Sequence, residues 1–455
     1  MNHDARDVAV SCSNRQALDL YETALLQYHS YVGDPIATID RALAEAPDFV
    51  LGHAFRAGVL MTLGEQRFVP EARASVAAAE ALSGQANARE RGLTQAARHL
   101  VDGDWDAACR AYDRVLVDQP RDAFAIQTAH LMDFYRGDAL NLRNRISRVL
   151  PHWSAGVPNY SYILGMHAFG LEECNQYPQA EATGRKALEL QPRDGWAVHA
   201  VVHVMEMQGR VDEGIDWLES READWAPDNG FAFHNWWHLA LFYLDRQRHD
   251  RVLALYDRRI YPEPGEFVLQ LVDATALLWR LYLLGVDTGS RFQVVADAWE
   301  QKLAVERGFY AFNDVHALLA FLGAGRERAA RQVLDDLAAT ARGATGRAAM
   351  MAREVGLPLG RGFQAFARGR YEEAISQIEP VRDTANRFGG SHAQRDLLTL
   401  TVIEAAIRAG QVSLARHYLA ERLVHKPASA LGWRLLARTG RVEPTTTPVA
   451  SRKAA

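Results

Sequence analysis

Residues 185–194 read Arg-Lys-Ala-Leu-Glu-Leu-Gln-Pro-Arg-Asp, and residues 113–122 read Asp-Arg-Val-Leu-Val-Asp-Gln-Pro-Arg-Asp. A third segment, residues 40–48, reads Asp-Arg-Ala-Leu-Ala-Glu-Ala-Pro-Asp. In each segment a helix-like stretch ends at a proline, and these prolines lie 73 and 72 residues apart, at Pro47, Pro120 and Pro192. Half of that spacing is about 36 residues, which is close to the length of a repeat made of two short helices.

Short turns separate the apolar-periodic segments of the chain. They recur at Gly103, Asn175, Gly209, Arg246, Gly325, Gly369 and Gly410. Each turn follows one helix-like segment and precedes another, which is the pattern of tetratricopeptide arrays built from a first helix A and a second helix B. Strand signals such as alternating β-branched runs are nearly absent. We therefore predict an all-α fold, an irregular tetratricopeptide-like α-solenoid with a concave pocket on the side of the A-helices.

The repeats divide the chain into predicted elements. The A-helices are expected at approximately 122–136, 157–174, 194–208, 230–245, 266–285, 311–323 and 391–409. We expect a single solenoid domain over residues 1–442, because no linker interrupts the pattern. Residues 443–455 consist mainly of Pro, Thr and small residues, and we predict a disordered tail there.

The composition excludes several classes of protein. The 56 acidic and 51 basic residues give a formal charge of −5 at pH 7, so electrostatics offers no argument for binding nucleic acid or an anionic membrane. No apolar run approaches the ~18 residues of a membrane span, and the first residues lack the apolar segment of a secretory signal. The scattered cysteines, Cys12, Cys109 and Cys174, do not suggest a disulfide framework. We expect a cytoplasmic protein without nucleic-acid or membrane partners.

Two pairs of histidines have the spacing that places both rings on one face of a helix. His199 and His203 are four residues apart, and so are His234 and His238. Glu206 lies on the same stripe as the first pair. Zinc enzymes use this spacing for two ligands, although the His-Glu-x-x-His motif of zinc proteases is absent. The pattern indicates acid–base groups or metal ligands.

Further polar residues fall on the predicted A-helices and are candidates for the same concave site. The predicted catalytic residues are His167, His199, His203, Glu206, His234 and His238. The predicted substrate-binding residues are Trp237, Asp273, Asp314, His316, His392, Arg395 and Asp396. In these roles Glu206 and Asp314 would orient histidines or act as the base, and Arg395 would bind a substrate carboxylate or phosphate through both of its terminal nitrogens.

These residues predict a small-molecule enzyme or binder that carries out acid–base hydrolysis, elimination or isomerisation of a polar metabolite. The sequence leaves open whether such a protein works without a cofactor or with a divalent ion such as zinc, iron or manganese. Redox chemistry is not expected, because the chain has no recognisable cofactor motif such as Gly-x-Gly-x-x-Gly. Whether the chain forms a homodimer is also left open.

Each candidate has a structural explanation as well. A single buried histidine is more often a hydrogen-bonded core residue, and tryptophans more often pack between repeats. Asp273 and Asp314 could cap or bridge helices. The rival function is an interaction scaffold that holds a peptide or a partner helix in the groove. Lysine, which such grooves commonly use, occurs only four times in the chain.

Four stretches of the sequence resemble one known family. They are Gly-Met-His-Ala-Phe-Gly-Leu-Glu-Glu at 165–173, Trp-Ala-Val-His-Ala-Val-Val-His-Val-Met-Glu-Met-Gln-Gly at 196–209, His-Asn-Trp-Trp-His at 234–238 and Gly-Gly-Ser-His-Ala-Gln-Arg-Asp at 389–396. Together they are similar to the tetratricopeptide repeat protein 38 family, over roughly residues 15–440. The resemblance implies an irregular α-solenoid in the cytosol. It implies no particular reaction.

Overall fold

The computed structural model describes residues 2–263, 265, 267–343 and 346–440 of the 455-residue chain. Residues 443–455, for which we predicted a disordered tail, lie outside the described residues. β-Structure within the described part consists of the antiparallel pair β1 (Asn2–His3) and β2 (Ala9–Val10) and an isolated bridge between Val32 and Asn229. Helices make up most of the rest, so the all-α prediction is confirmed.

The helices follow one another along the chain with short connections. In chain order they are α1 (Arg15–Ser30), α2 (Pro35–Glu45), α3 (Val50–Met61), α4 (Val69–Ala81), α5 (Ala88–Val101), α6 (Trp105–Asp118), α7 (Ala123–Arg136), α8 (Ala139–Val149), α9 (Tyr160–Glu173), α10 (Tyr177–Leu190), α11 (Gly195–Met207), α12 (Val211–Ser220), α13 (Glu222–Trp225), α14 (Ala232–Asp245), α15 (His249–Leu255), α16 (Val268–Leu283), α17 (Arg291–Glu306), α18 (Ala311–Gly323), α19 (Glu327–Gly343), α20 (Arg347–Met351), α21 (Leu357–Ala367), α22 (Tyr371–Arg382), α23 (His392–Arg408), α24 (Val412–His425) and α25 (Ala430–Arg438). Single 3₁₀ or π turns lie at Gln66–Phe68, Leu150–His152, Tyr256–Ile260, Ala352–Gly356 and Ala385–Phe388. Among the described residues, no helix combines the length and the apolar character that a membrane span requires.

Consecutive helices pair into helix-turn-helix units, and the units stack side by side as an irregular tetratricopeptide-like solenoid. Helix α9, for example, packs against its own B-helix α10 and against α11, the A-helix of the next repeat. The predicted A-helices correspond to α7, α9, α11, α14, α16, α18 and α23, and each begins and ends within three residues of the predicted range. The A-helix α21 was not among the predicted ranges.

The predicted turns have a backbone geometry that ends one helix and allows the next to start. Glycines with φ between 68° and 72° occupy four of them, at Gly209, Gly325, Gly369 and Gly410. Glycine adopts this left-handed region without the steric cost that a Cβ would bring. Aspartates cap the starts of α2, α6, α7, α8 and α11; Asp194, for instance, accepts hydrogen bonds from the amides of Trp196 and Ala197 at the start of α11.

One glycine gives a direct test of how closely the repeats pack. A Cβ added at Gly170 in α9 would lie 2.5 Å from backbone atoms of Leu142 and Arg143 in α8. We expect Gly170→Ala to lower the free energy of unfolding by about 1–3 kcal/mol, because the two helix backbones must move apart. Gly84→Ala is the matched control, since nothing lies within 4 Å of its added Cβ. Thermal melts of both variants measure the difference, and equal melting temperatures would contradict this close approach.

Repeats that are far apart in sequence meet across the inner side of the solenoid. The Glu306 carboxylate at the end of α17 accepts hydrogen bonds from the amides of Gln66 and Arg67 at 2.6 and 3.1 Å. The amide of His392 at the start of α23 donates to Glu173 at 2.9 Å. A hydrophobic core extends continuously through nearly the whole described chain. The concave side is therefore largely filled by the protein's own side chains.

Candidate functional site

Helices α11 and α14 lie next to each other and carry the two histidine pairs toward one point. His199 and His203 occupy successive turns of α11, and His234 and His238 occupy successive turns of α14. Side chains four residues apart project from the same face of a helix. Because the two faces are turned toward each other, the four rings meet between the helices. We call these four residues the histidine cluster.

The rings of the histidine cluster are in contact. The centroid of His199 lies 4.4 Å from that of His203, 4.9 Å from that of His234 and 5.0 Å from that of His238. The ring of His238 also lies 4.6 Å from His203 and 4.9 Å from His234. One nitrogen from each residue can be chosen so that all four lie within 4.8 Å of one another. The structure therefore brings both predicted pairs into a single site.

Three of the four rings have a carboxyl oxygen close to their Nδ1 atom. The Nδ1 atom of His234 lies 2.6 Å from Asp273 Oδ2. The Nδ1 atom of His238 lies 2.8 Å from Glu206 Oε2. The Nδ1 atom of His203 lies 3.4 Å from Glu172 Oε2, which is ion-pair distance. A carboxylate on Nδ1 fixes the tautomer and the orientation of an imidazole and leaves Nε2 free to act as a ligand or a base.

Most ring nitrogens of the histidine cluster are unsatisfied. Five of them have no hydrogen-bond partner among the described residues: His199 Nδ1 and Nε2, His203 Nδ1 and Nε2, and His238 Nε2. The site is also closed, because His203 and His238 are fully buried and His199 is 2 % exposed. His234 is the most accessible of the four, at 9 %.

Burial keeps His199, His203 and His238 uncharged. Burial lowers the pKa of His203 to about 4. Burial and the neighbouring imidazoles lower the pKa values of His199 and His238 well below the usual value for histidine. Burial and the adjacent Glu173 carboxylate raise the pKa of Glu172 well above its usual value. At neutral pH His199, His203 and His238 thus present neutral imidazole nitrogens with free lone pairs.

This donor set fits a divalent transition-metal ion. Zinc and its neighbours in the first transition series bind neutral imidazole nitrogens at about 2.0–2.1 Å. Carboxylates hydrogen-bonded to the outer nitrogen of metal-binding histidines are a common supporting arrangement. Here His234 and His238 have this arrangement, and His203 approaches it. The same unpartnered lone pairs could accept protons, but the lowered pKa of His203 makes it a weak base at neutral pH.

Aromatic side chains support the cluster. Trp237 is fully buried and stacks on His234, with ring centroids 5.3 Å apart. The guanidinium of the buried Arg280 lies 5.2 Å from the centroid of the Trp237 ring. Trp237, predicted as a substrate-binding residue, thus packs between Arg280 and the histidine that it supports. Asp273, predicted in the same role, instead anchors His234.

The residues predicted on α23 contact the end of α9 and the neighbouring helix α24. Arg395 donates to Glu173 Oε2 at 3.3 Å and to the carbonyl of Gly390, so its guanidinium is used within the protein. The His392 amide donates to the same Glu173. Asp396 pairs with Arg422 at 3.1 Å. Arg395 thus faces a carboxylate of the protein, and its binding of a substrate anion stays a prediction.

Three predicted residues are not brought to the cluster. His167 contacts Ser147 of α8 at 3.1 Å. Asp314 accepts a hydrogen bond from the Gly308 amide at 3.3 Å, and His316 contacts the carbonyl of Phe312 at 2.8 Å. The prediction treated every polar residue of an A-helix as inward-facing, but only one face of each A-helix points to the site. Positions two residues apart lie on different faces of a helix.

Glu172 and Arg280 were not among the site residues predicted from the sequence. Glu172 is fully buried, and neither of its carboxylate oxygens has a hydrogen-bond partner among the described residues. It precedes Glu206 by 34 residues, the length of one tetratricopeptide repeat, and each glutamate is the next-to-last residue of its A-helix. Repeat spacing applied to Glu206 would therefore have found Glu172. No comparable repeat spacing in the sequence points to Arg280.

A small polar cavity adjoins the cluster on the side of Glu206. Its volume is about 30 Å³. Its charged lining residues are Glu206, Asp245, Arg280, Asp396, Arg422 and Lys426. A space of this size holds roughly one or two water molecules. It can hydrate Glu206, but it is far smaller than the pocket of a typical metabolite.

No family model matches the chain, so its relation to the tetratricopeptide repeat protein 38 family stays a prediction. Several solved structures are similar to it. The human IFIT1 dimer with m7Gppp-AAAA is 14% identical, with 92% of this chain and 100% of that chain covered and a TM-score of 0.43. A tetratricopeptide repeat protein from Parabacteroides merdae is 13% identical, with coverage of 62% and 99% and a TM-score of 0.35. Yeast Tom70 is 12% identical, with coverage of 82% and 91% and a TM-score of 0.35. At these identities and TM-scores no function is carried over from these proteins.

Proposed function

We propose that this chain is a metalloprotein that binds a divalent transition-metal ion in the histidine cluster and uses it in acid–base chemistry on a small polar metabolite. The observation that carries the proposal is the set of five unpartnered imidazole nitrogens in a closed site. A buried polar atom without a partner costs about 1–3 kcal/mol, so a cluster of this kind is costly unless something binds it. A metal ion satisfies several of these nitrogens at once.

The donor set narrows the choice of ion. Imidazole nitrogen suits zinc, iron, copper and nickel, whereas manganese and magnesium prefer oxygen ligands. Of the ions expected from the sequence, zinc and iron therefore fit the four histidines better than manganese. Cysteine thiolates, which favour copper(I) and iron–sulfur clusters, are absent from the described groups that could hold a metal.

The carboxylates give the chain's own residues distinct roles. Asp273 and Glu206 orient His234 and His238, and Glu206 also faces the polar cavity. Glu206 therefore links the His238 ring to the polar cavity. When bound, a divalent ion supplies Lewis-acid polarisation of a substrate oxygen. A metabolite larger than a few water molecules requires the helices that cover the cluster to move.

Metal analysis of protein produced without an affinity tag tests this proposal. We expect about one equivalent of zinc or iron per chain, and we expect the content to fall sharply in His203→Ala and His238→Ala, since each removes a ligand. His167→Ala is the control, because His167 lies outside the cluster and contacts Ser147. If the purified wild-type chain contains no metal and takes up none from added Zn²⁺, Fe²⁺ or Co²⁺, the proposal is wrong.

The second candidate function is an interaction scaffold for a peptide or a partner helix. The observation that favours it is the solenoid fold itself, since stacked helical repeats present extended surfaces to partners. Fold does not establish function, and the inner side of this solenoid is largely occupied by its own side chains. Partner binding that survives both metal removal and the His203→Ala substitution would favour the scaffold over the metal centre.

A further inference from the structure

We infer that His199 is the displaceable ligand of this centre, and that its coordination position is the one that exchanges with water or with an oxygen donor of a small polar molecule. The inference rests on the proposed metal function. In this arrangement His203, His234 and His238 stay bound to the metal ion, and His199 occupies the position that exchanges. Zinc enzymes keep three protein ligands and leave a fourth position for water or substrate.

The first reason is the difference in anchoring. His234 and His238 have Nδ1 within 2.8 Å of a carboxylate, and His203 has Nδ1 at 3.4 Å from one. His199 has no hydrogen bond at either nitrogen to any described residue. A carboxylate at the outer nitrogen fixes the ring and makes it a stronger ligand. His203 also lacks a hydrogen bond at both nitrogens, but a carboxyl oxygen lies 3.4 Å from its Nδ1, whereas no carboxyl group of the described residues lies within ion-pair distance of His199.

The second reason is what surrounds His199. Its ring lies 5.1 Å from Trp196, 5.1 Å from Phe231 and 5.3 Å from Phe169, measured between centroids. Contacts with aromatic faces hold a ring by dispersion and shape and do not select one orientation of its nitrogens. The imidazole of His199 can therefore rotate about its side-chain bonds without the loss of a hydrogen bond, whereas rotation of His234 or His238 breaks the bond to Asp273 or Glu206.

The third reason is the direction in which His199 faces. Phe231 contacts both His199 and His234, with ring centroids 5.1 and 5.0 Å apart. His234 is the most exposed member of the cluster and Phe231 is half-buried, so this is the side closest to solvent. Movement of His199 would open the metal toward that side. The other ligands face the buried carboxylates.

Cobalt(II) titrations of the full-length chain test the inference. Cobalt's visible spectrum reports the number and type of its ligands. We expect His199→Ala to weaken cobalt binding by less than about tenfold. The substitutions His203→Ala, His234→Ala and His238→Ala should each weaken it by more than about a hundredfold. Glu206→Gln should weaken it about 10–100-fold, because it removes only the support of His238.

A small anion serves as the exchange probe. Azide should change the spectrum of the cobalt-loaded His199→Ala chain at lower concentration than that of wild type, since the position is already open. His199→Gln and circular dichroism of every variant separate ligand loss from misfolding. If His199→Ala and His199→Gln fold but lose cobalt as completely as the other three variants, His199 is a permanent ligand and the inference is wrong, while the metal proposal stands. If wild type binds no cobalt, both fail.

Discussion

At pH 5, in the presence of a metal chelator, we expect the folded chain to be less stable than at pH 7.5 by several kcal/mol. Burial lowers the pKa values of His29 and His130 to about 3 and that of His316 to about 4. An unfolded histidine titrates near 6.5, so protons bind the unfolded chain first as the pH falls. Stability is complete above pH 6.5 and is lost between about pH 6.5 and 3–4.

The loss of stability at pH 5 grows with the number of buried histidines whose pKa values are lowered. Each contributes about 2 kcal/mol of destabilisation at pH 5, and three together approach the whole stability of a typical domain, about 5–15 kcal/mol. Thermal melts from pH 8 to 4.5 measure the loss. His29→Phe keeps the ring that stacks on Tyr162 and removes the base, so its melting temperature should depend less on pH. His425→Phe, at an exposed position, should behave like wild type. Equal pH dependence in all three chains would contradict this explanation.

Arg89→Met should cost about 3–5 kcal/mol of stability, because it strips the partner from buried carboxylates. Arg89 donates to Asp122 at 2.6 Å and to Asp4 at 3.2 Å, and all three side chains are at most 2 % exposed. Asp122 also caps α7 through the amide of Ala125. Methionine fills similar volume without a charge, so the loss comes mainly from the buried Asp122 carboxylate, which pairs with Arg89, while Asp4 keeps its ion pair with Arg6.

An exposed ion pair provides the control for this prediction. Arg15 and Asp19 pair at 3.1 Å on the surface of α1, with side chains 87% and 63% exposed. Solvent screens such a pair, so Arg15→Met should change stability by less than about 0.5 kcal/mol. The two variants lose the same type of charge and differ in its burial. Similar denaturant midpoints for both would mean that the Arg89 network contributes little.

The A-helices could be predicted from the sequence because their signals are local. The helix predicted at 194–208 is observed at Gly195–Met207, and Asp194 caps it as its position before an apolar run suggests. The turn at Gly209 follows directly, with the positive φ that glycine allows. The contacts between repeats that are far apart in the sequence, such as that of Glu306 with Gln66, could not be predicted in this way. They depend on small rotations between successive repeats, which add up over many helices and leave no short motif.

The histidine cluster could be predicted in part for the same reason. The spacing of His199 and His203 determines which side of α11 they share, and that information lies within five residues of sequence. The carboxyl groups close to His203, His234 and His238 come from other helices. Asp273 on α16 was assigned to substrate binding, and Glu172 on α9 was not selected. Pairing across helices depends on tertiary packing, which residue spacing within one helix does not contain.

The contact between the His392 amide and Glu173 has a consequence for the order of synthesis. The two residues are 219 positions apart. At the usual pace of translation, that interval takes about 10–40 s. In the later part of that time α9, α11 and α14 have all been made, whereas α23, which packs against α11 and contacts the end of α9, has not. We expect the histidines to be reachable by a metal ion from the surrounding solution in this interval, and the last repeats then to enclose an ion that has already bound.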